Sequence, residues 1–434
     1  MTGLMAARYL SDDPNLAIDL LERTDRLGGL HHSPQVKGRI YDVGAYAFTA
    51  KDLIFEAFPG LLGHYQPFQA TYRTVLDGGE LDGFPRTLRG YARRHGPAHM
   101  VRAALDLAIG KVVHRRRDSV PAYCQYYLGR SFYQRSGLRN YIERLFCRAD
   151  HAIDIQFARQ RLQAIQISAS LRGRTRAALR RLHTPRSPRA PRLSYARPRD
   201  GFGHCYGIVE RELLARGVNV LKSCSVGSIE KRDGMFILQT ADGAREYDHV
   251  ISTIPVPTVA RLVGFETEAR FDTMTLVTLF YRYAGENAGY DAVYLYNFSH
   301  RGRWKRVIDF SAIYGDRTEG RWISVEITRP ADEPRDADRE RLDFEATVRE
   351  LGLFAGSELA FQGHHSTPNA YPIFDRDSAA ALDRDRARIE AWGIRIVGRQ
   401  GRFDYISSAE GAEAARDLAR AMREGQHRER IGRG

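Results

Sequence analysis

Four cysteines in 434 residues (Cys124, Cys147, Cys205 and Cys224), none in C-x-x-C spacing, exclude a zinc ribbon and a disulfide scaffold. Lysine is scarce too, so nearly all of the positive charge is arginine. No window reaches eighteen continuous apolar residues, which excludes a spanning helix. No basic-apolar-small leader opens the chain, which argues against a cleaved secretory signal and leaves the cytoplasm as the expected compartment. H-E-x-x-H, G-x-S-x-G and the P-loop are all missing. The pairs His31-His32 and His364-His365 are poor metal clamps, because neighbours on a strand point to opposite faces. No metal is expected.

What is present suits a folded chain. Hydrophobic residues make up 43% and charged residues 27%, enough for real cores in two packed domains or one large discontinuous one. The net charge of +13 is concentrated. Residues 172–200 hold ten arginines and one acid. That stretch also contains Pro185, Pro188, Pro191 and Pro198, so 172–199 reads as an exposed, weakly structured excursion. A nucleic-acid arm has little support, since Tyr195 alone interleaves with the charge.

Gly3 to Leu10 has helical spacing, Ser11 to Asn15 stops it, and Leu16 to Leu21 is a short strand ending in Glu22. Gly28-Gly29 follows. Helix, strand, acid and glycine pair form the second half of a dinucleotide-binding unit, without an apolar strand or G-x-G before Gly3. Residues 51–170 read as mostly helical. Met100, Val101, Ala104, Leu105, Ala108, Ile109, Val112 and Val113 form one apolar stripe ahead of His114-Arg115-Arg116-Arg117. Its first reading is a packed helix with a solvated basic end; a membrane-surface helix is the second. Beyond 216 the texture turns to β, with strands at 217–222, 226–230 and 235–240, and a hairpin turn at Ala241-Asp242-Gly243. Asp248 to Pro255 is a buried strand. Further strands follow at 276–282, 292–298, 306–310 and 322–328. Ile394 to Val397 is a last strand, and a helix runs from about 410 to 423.

An acid after the second strand of such a unit accepts from ribose hydroxyls, and paired glycines admit a pyrophosphate or flavin edge. Glu22 to Gly29, Gly38 to Gly44, Arg199 to Gly203, DHVISTIPVP at 248–257, Ala370 to Ile373 and Gly398 to Tyr405 together resemble flavin-containing amine oxidase-like proteins. That superfamily includes protoporphyrinogen oxidases, phytoene desaturases, monoamine oxidases and UDP-galactopyranose mutases. The resemblance runs along nearly the whole chain in order.

It implies an α/β fold with a discontinuous FAD-binding Rossmann-like domain from 1–50, 199–260 and 385–425. A helical region at 51–198 and a β-rich region at 261–384 would form the substrate side. Gly3, Glu22, Arg23, Gly28, Gly29, Val226, Gly398 and Arg399 would contact FAD, and one of His31 and His32 would face it. Arg399 and Tyr405 would contact a small-molecule substrate, with phosphate or a nucleotide among its candidate groups. The implied activity is an FAD-dependent oxidoreductase. The alternatives are a nucleotide-sugar mutase and a truncated, non-catalytic flavin fold. Ile406 to Glu410 departs from the mutase pattern, and no lysine stands at an obvious position of the oxidases. The phosphate turn keeps only Gly3, so this chain is expected to hold FAD weakly.

Overall fold

The computed structural model describes residues 1–84, 88–162, 192–268 and 272–433, apart from positions 286, 335, 357, 374 and 377. Its first core is built by small residues. Helix Thr2–Leu10 lies against helix Ser408–Arg433, where Ala412, Ala415 and Ala419 are fully buried opposite Leu4, Met5, Ala6 and Ala7. Alanine at these steps lets two helices approach closely and excludes water from the leucines around them. Helix Phe202–Ala215 closes the same core with Phe202, Tyr206, Val209 and Leu213.

Strand Asp19–Leu21 pairs in parallel with Asn219–Leu221, and Ile251–Ser252 pairs in parallel with Arg395–Ile396. These two pairs are separate sheets. A cavity of about 380 Å³ lies against the second, lined by Ile394 to Val397, Arg402, Ala414 and Leu418. The hairpin Met235–Thr240 to Gly243–Tyr247 forms where Asp242 and Gly243 foretell it, and Val226–Arg232 joins its other side.

The larger sheet has seven strands in the order Leu359–Pro372, Thr273–Tyr283, Arg321–Pro330, Trp304–Asp309, Tyr294–Asn297, Tyr72–Val75, Leu81–Gly83. Thr273–Tyr283 and Arg321–Pro330 are buried on both faces, which is why their sequences run apolar without strict alternation. Phe344 and Val348 of helix Ala337–Glu350 cover one face over Trp304. Tyr41, Phe310, Tyr314 and Trp322 pack the other. The stretch read as mostly helical therefore supplies two strands to this sheet, one of them paired in parallel with Tyr294–Asn297.

Two expectations are corrected. Of 172–199, positions 172–191 lie outside the described residues, but the end is no exposed excursion. Ser194–Ala196 pairs with Gln66–Phe68, and Arg197 is 1% exposed. Its Nε donates to Asp42 Oδ1 at 2.7 Å, Nη2 to the Ile40 carbonyl at 2.6 Å, and Nη1 to the Pro198 and Arg199 carbonyls. The charge of Arg197 answers a buried acid, so composition misjudged it. The apolar stripe of helix Leu88–Val113 is also not packed: Val101, Leu105, Ile109, Val112 and Val113 face solvent. The inner face is built from smaller side chains. Ala103 is buried, and a Cβ on Gly110 would stand 2.4 Å from the Gln125 carbonyl oxygen.

Burial lifts the Asp42 carboxyl above its usual range even with Arg197 beside it. Arg197→Met should destabilise the fold by about 3–5 kcal/mol at neutral pH, because it strands a buried carboxylate. A carboxyl raised in the folded state binds its proton more readily there than when unfolded. The variant should therefore regain stability as pH falls toward the ordinary aspartate range. Urea unfolding at several pH values measures both effects, and a pH-independent loss under about 1 kcal/mol would contradict them.

Candidate functional site

Two helix N-termini meet at Thr2. After strand Arg395–Ile396 the chain turns at Gly398, whose φ is +87°. A Cβ there would lie 2.7 Å from Thr2 Oγ1, so only glycine fits. Gly411 approaches the same hydroxyl, its Cβ position lying at 3.2 Å, and Gly3 faces Thr253. Helix Ser408–Arg433 opens on a reciprocal cap. Ser407 Oγ accepts from the Glu410 amide at 3.2 Å, and Glu410 Oε2 accepts from the Ser407 amide at 2.6 Å. The Ser408 and Ala409 amides lie between them, outside the intrahelical ladder, at the end of the helix where negative charge is stabilised.

His31 joins this corner to the glycine pair. It is buried, its Nδ1 lies against Tyr206 Oη, and its Nε2 is 3.1 Å from Ser408 Oγ. Its ring stacks on Phe202 with centroids 4.9 Å apart. Burial pushes its pKa down to about 3, so the imidazole is neutral at physiological pH. Gly28, at φ +108°, is needed because its Cβ would stand 2.4 Å from the Tyr206 ring. Gly29 and Arg23 are exposed. Glu22 Oε1 accepts from the Thr24 amide and hydroxyl, both at 2.8 Å, and so shapes its own loop. Val226 shares an apolar cluster with Leu21, the residue before Glu22.

A ladder of cations and rings forms a second focus. Arg306 donates twice to Glu326, at 2.6 Å to each oxygen, and Lys305 Nζ reaches the same carboxylate at 3.1 Å. A β-bulge makes this triple contact. Trp304 pairs with Ile327 and Arg306 with Glu326, so Lys305 and Arg306 both oppose one residue. Lys305 lies 4.7 Å from the centre of the Tyr371 ring. Arg399 lies 4.7 Å from Tyr371 and 4.8 Å from Tyr405, and Arg161 is 4.7 Å from the other rung, Tyr405. Two cations, Lys305 and Arg306, thus meet the buried Glu326 carboxylate, and two more, Arg399 and Arg161, continue the ladder on the Tyr371 and Tyr405 rings. Nε and Nη2 of Arg399 are buried and meet no hydrogen-bond acceptor among the described residues. Unsatisfied buried donors of this kind mark room for an anionic or carbonyl-bearing ligand.

The structure thus brings Gly3 and Gly398 together, links Gly28 to the same corner through Tyr206, His31 and Ser408, and sets Arg399 beside Tyr405. Glu22 and Val226 lie together on the neighbouring parallel strand and hairpin sheet. Lys305, which sequence reading did not single out, is buried on the ladder. Arg161, Arg306, Glu326 and Tyr206 escaped sequence reading as well. One signal was present, since charged residues inside strands buried on both faces require buried partners.

Burial pushes the Glu326 carboxyl up, but Arg306 and Lys305 outweigh it and hold it below the usual glutamate range. Its contribution is complete above the unfolded glutamate range and is lost as pH falls through the lower folded value. Glu326→Gln should cost about 3–5 kcal/mol in chemical unfolding by leaving two cations without their counter-ion. For His31 the sign is opposite to that of a stabilised imidazolium. The unfolded state binds its proton first, so stability falls below about pH 6.5 by up to roughly 1.4 kcal/mol per pH unit. His31→Asn should flatten that slope, and an unchanged slope would show that His31 is not the group responsible.

The family model for flavin containing amine oxidoreductases matches residues 1–321. No curated protein matches the chain in sequence. Among solved structures, it is similar to a reduced UDP-galactopyranose mutase at TM-score 0.74 and 15% identity, covering 96% of this chain and 91% of that one. A putative protoporphyrinogen oxidase from Exiguobacterium sp. 255-15 is similar at TM-score 0.69 and 16% identity, covering 97% and 96%. Cyclohexylamine oxidase from Brevibacterium oxydans IH-35A is similar at TM-score 0.62 and 12% identity, covering 98% and 97%. At these identities the structures share the fold. The family match, over well over half of the chain, carries the assignment: this protein belongs to the flavin containing amine oxidoreductase family.

Proposed function

We propose that the chain is an FAD-dependent oxidoreductase whose substrate is a small organic molecule bearing an anionic group. The observation that carries this reading is the Arg399 guanidinium, buried with two donors unsatisfied, on the same Tyr371 ring as the buried ammonium of Lys305. The residues fit the cofactor. Two helix N-termini and closely approached glycines at Gly398 and Gly411 suit a pyrophosphate-bearing dinucleotide. Glu22 stands at the end of the parallel strand Asp19–Leu21, where a ribose hydroxyl is recognised. FAD bound there supplies two-electron redox chemistry.

The chain's own residues bind and orient. Tyr371 and Tyr405 hold the Arg399 guanidinium between them, so its free donors are fixed before an anion arrives. Burial would lower the Lys305 pKa, but Tyr371 and Glu326 keep it raised and the ammonium charged. A charged, buried Lys305 attracts negative charge and serves poorly as a base. Neutral His31 and the rings of Tyr46, Phe202 and Tyr206 exclude water at the glycine corner.

A nucleotide-sugar mutase is the second reading, favoured by the same Arg399–Tyr405 pair, which suits a diphosphate. Anaerobic mixing of the FAD-loaded protein with candidate substrates separates the two. Loss of the oxidised flavin's visible absorption together with an oxidised product supports the oxidoreductase. Turnover of a UDP-sugar only after dithionite reduction, without net oxidation, supports the mutase. Failure to bind FAD overturns both. Arg399→Ala should raise KM for an anionic substrate roughly 10- to 150-fold, the worth of about 1.5–3 kcal/mol for a charge-assisted hydrogen bond, and spare a neutral analogue. Equal losses on both substrates would make Arg399 a structural residue.

A further inference from the structure

Helix Leu88–Val113 breaks at Gly96, where φ is +74°, and resumes at Pro97, a favoured first residue. From Pro97 to Val113 it runs for roughly 25 Å at about 1.5 Å per residue. Its residues are sorted against the ordinary rule. Ala103 and Gly110 are buried, and Asp106 turns inward to accept from the Ser131 amide at 3.0 Å. Gly129 of the neighbouring turn approaches so closely that its Cβ would stand 2.8 Å from the Leu107 amide nitrogen. The branched aliphatics point outward: Val101, Leu105, Ile109, Val112 and Val113 are between 58% and 76% exposed. Their spacing puts them on one face, with Ala104 and Ala108 filling the gaps. A contiguous apolar face of this kind has a contact to make.

The charge around the face selects the contact. Arg102, Arg115 and Arg116 are exposed at its margins and end. Lys111 and Arg117 are held over the Tyr126 ring at 3.9 Å and 4.9 Å. From Pro97 to Val113 the only acid is Asp106, and it faces inward. A second copy of this face would bring one exposed acid, Asp118, against Arg102, Arg115 and Arg116, whereas an anionic bilayer matches both the aliphatic face and the excess of arginine. Among the described residues no helix is long and apolar enough to cross a membrane.

We propose that the outer face of Pro97 to Val113 seats the protein on the surface of an anionic lipid bilayer, with the aliphatics among acyl chains and Arg102, Arg115 and Arg116 at the headgroups. The test is flotation of the whole protein with phosphatidylcholine vesicles, with and without phosphatidylglycerol. The wild-type chain should float with the anionic vesicles, and Leu105→Glu with Ile109→Glu should lower partitioning at least roughly ten-fold. Arg115→Glu with Arg116→Glu should weaken binding to anionic vesicles roughly five-fold per arginine and leave the slight binding to neutral ones. Val112→Trp gives a reading that does not depend on the acidic variants folding, because the fluorescence it adds should be quenched by bromine-labelled acyl chains. The proposal is overturned by wild-type protein that stays with the unbound fraction, by Val112→Trp fluorescence that bromolipid leaves untouched, or by a concentration-dependent dimer that the acidic variants dissociate without any vesicle binding.

Discussion

A buried guanidinium must place its donors, and Arg197 places them on segments far apart in the chain. Asp42 and the Ile40 carbonyl come from the segment after the glycine pair, and the Pro198 and Arg199 carbonyls fix the approach to helix Phe202–Ala215. Ser33 completes the joint, donating to Asp42 at 2.6 Å and accepting from the Phe202 amide at 3.2 Å. Tyr314, beside the large sheet, donates to the Arg197 carbonyl at 3.0 Å and lies under its guanidinium. The glycine corner and the seven-stranded sheet therefore share one ion pair, and Thr278, which donates to the Val43 carbonyl at 2.8 Å, is the next tie along. The His31 corner and the Lys305–Arg399 ladder are thus tied to each other through this joint.

The ladder follows from a different constraint. Glu326 is fully buried, and its two cations, Lys305 and Arg306, reach it through the bulge. Arg161 and Arg399 are held by ring faces instead, which stabilise a cation without cancelling its charge. The result is a preorganised positive field with unsatisfied donors at Arg399. Preorganisation costs stability in the empty protein and is recovered when an anion binds.

Where one residue type admits one conformation, the sequence was readable. The hairpin at Ala241-Asp242-Gly243, the glycine turn at Gly398 and the opening helix are of this kind. Leu359–Pro372 was not read as a strand, for physical reasons. Among the described residues it is an edge strand, pairing with Thr273–Tyr283 alone, and it tolerates Pro368, a positive φ at Asn369 and two shifts of register. Its polar run, Gln362 to Asn369, carries no alternation to detect. Glu326 and its two cations were invisible because the bulge that joins them is a matter of register, which periodicity does not report. Arg197 was masked by its neighbours, since a composition window averages a buried ion pair into a basic stretch.

The helix at Pro97 to Val113 shows how far periodicity reaches. Its spacing establishes that the aliphatics share a face but does not say which way that face points. Direction is set by the partner. Close approach to Gln125 and to Gly129 admits only Gly110 and small neighbours on the inner side, so the larger side chains have no room there. Burying Val101, Leu105 and Ile109 instead would force the helices apart and open the packing around Ala103 and Phe132. The outward stripe is thus a consequence of tight inner packing. Its chemistry, aliphatic and bordered by arginine, is what the fold then presents to its surroundings.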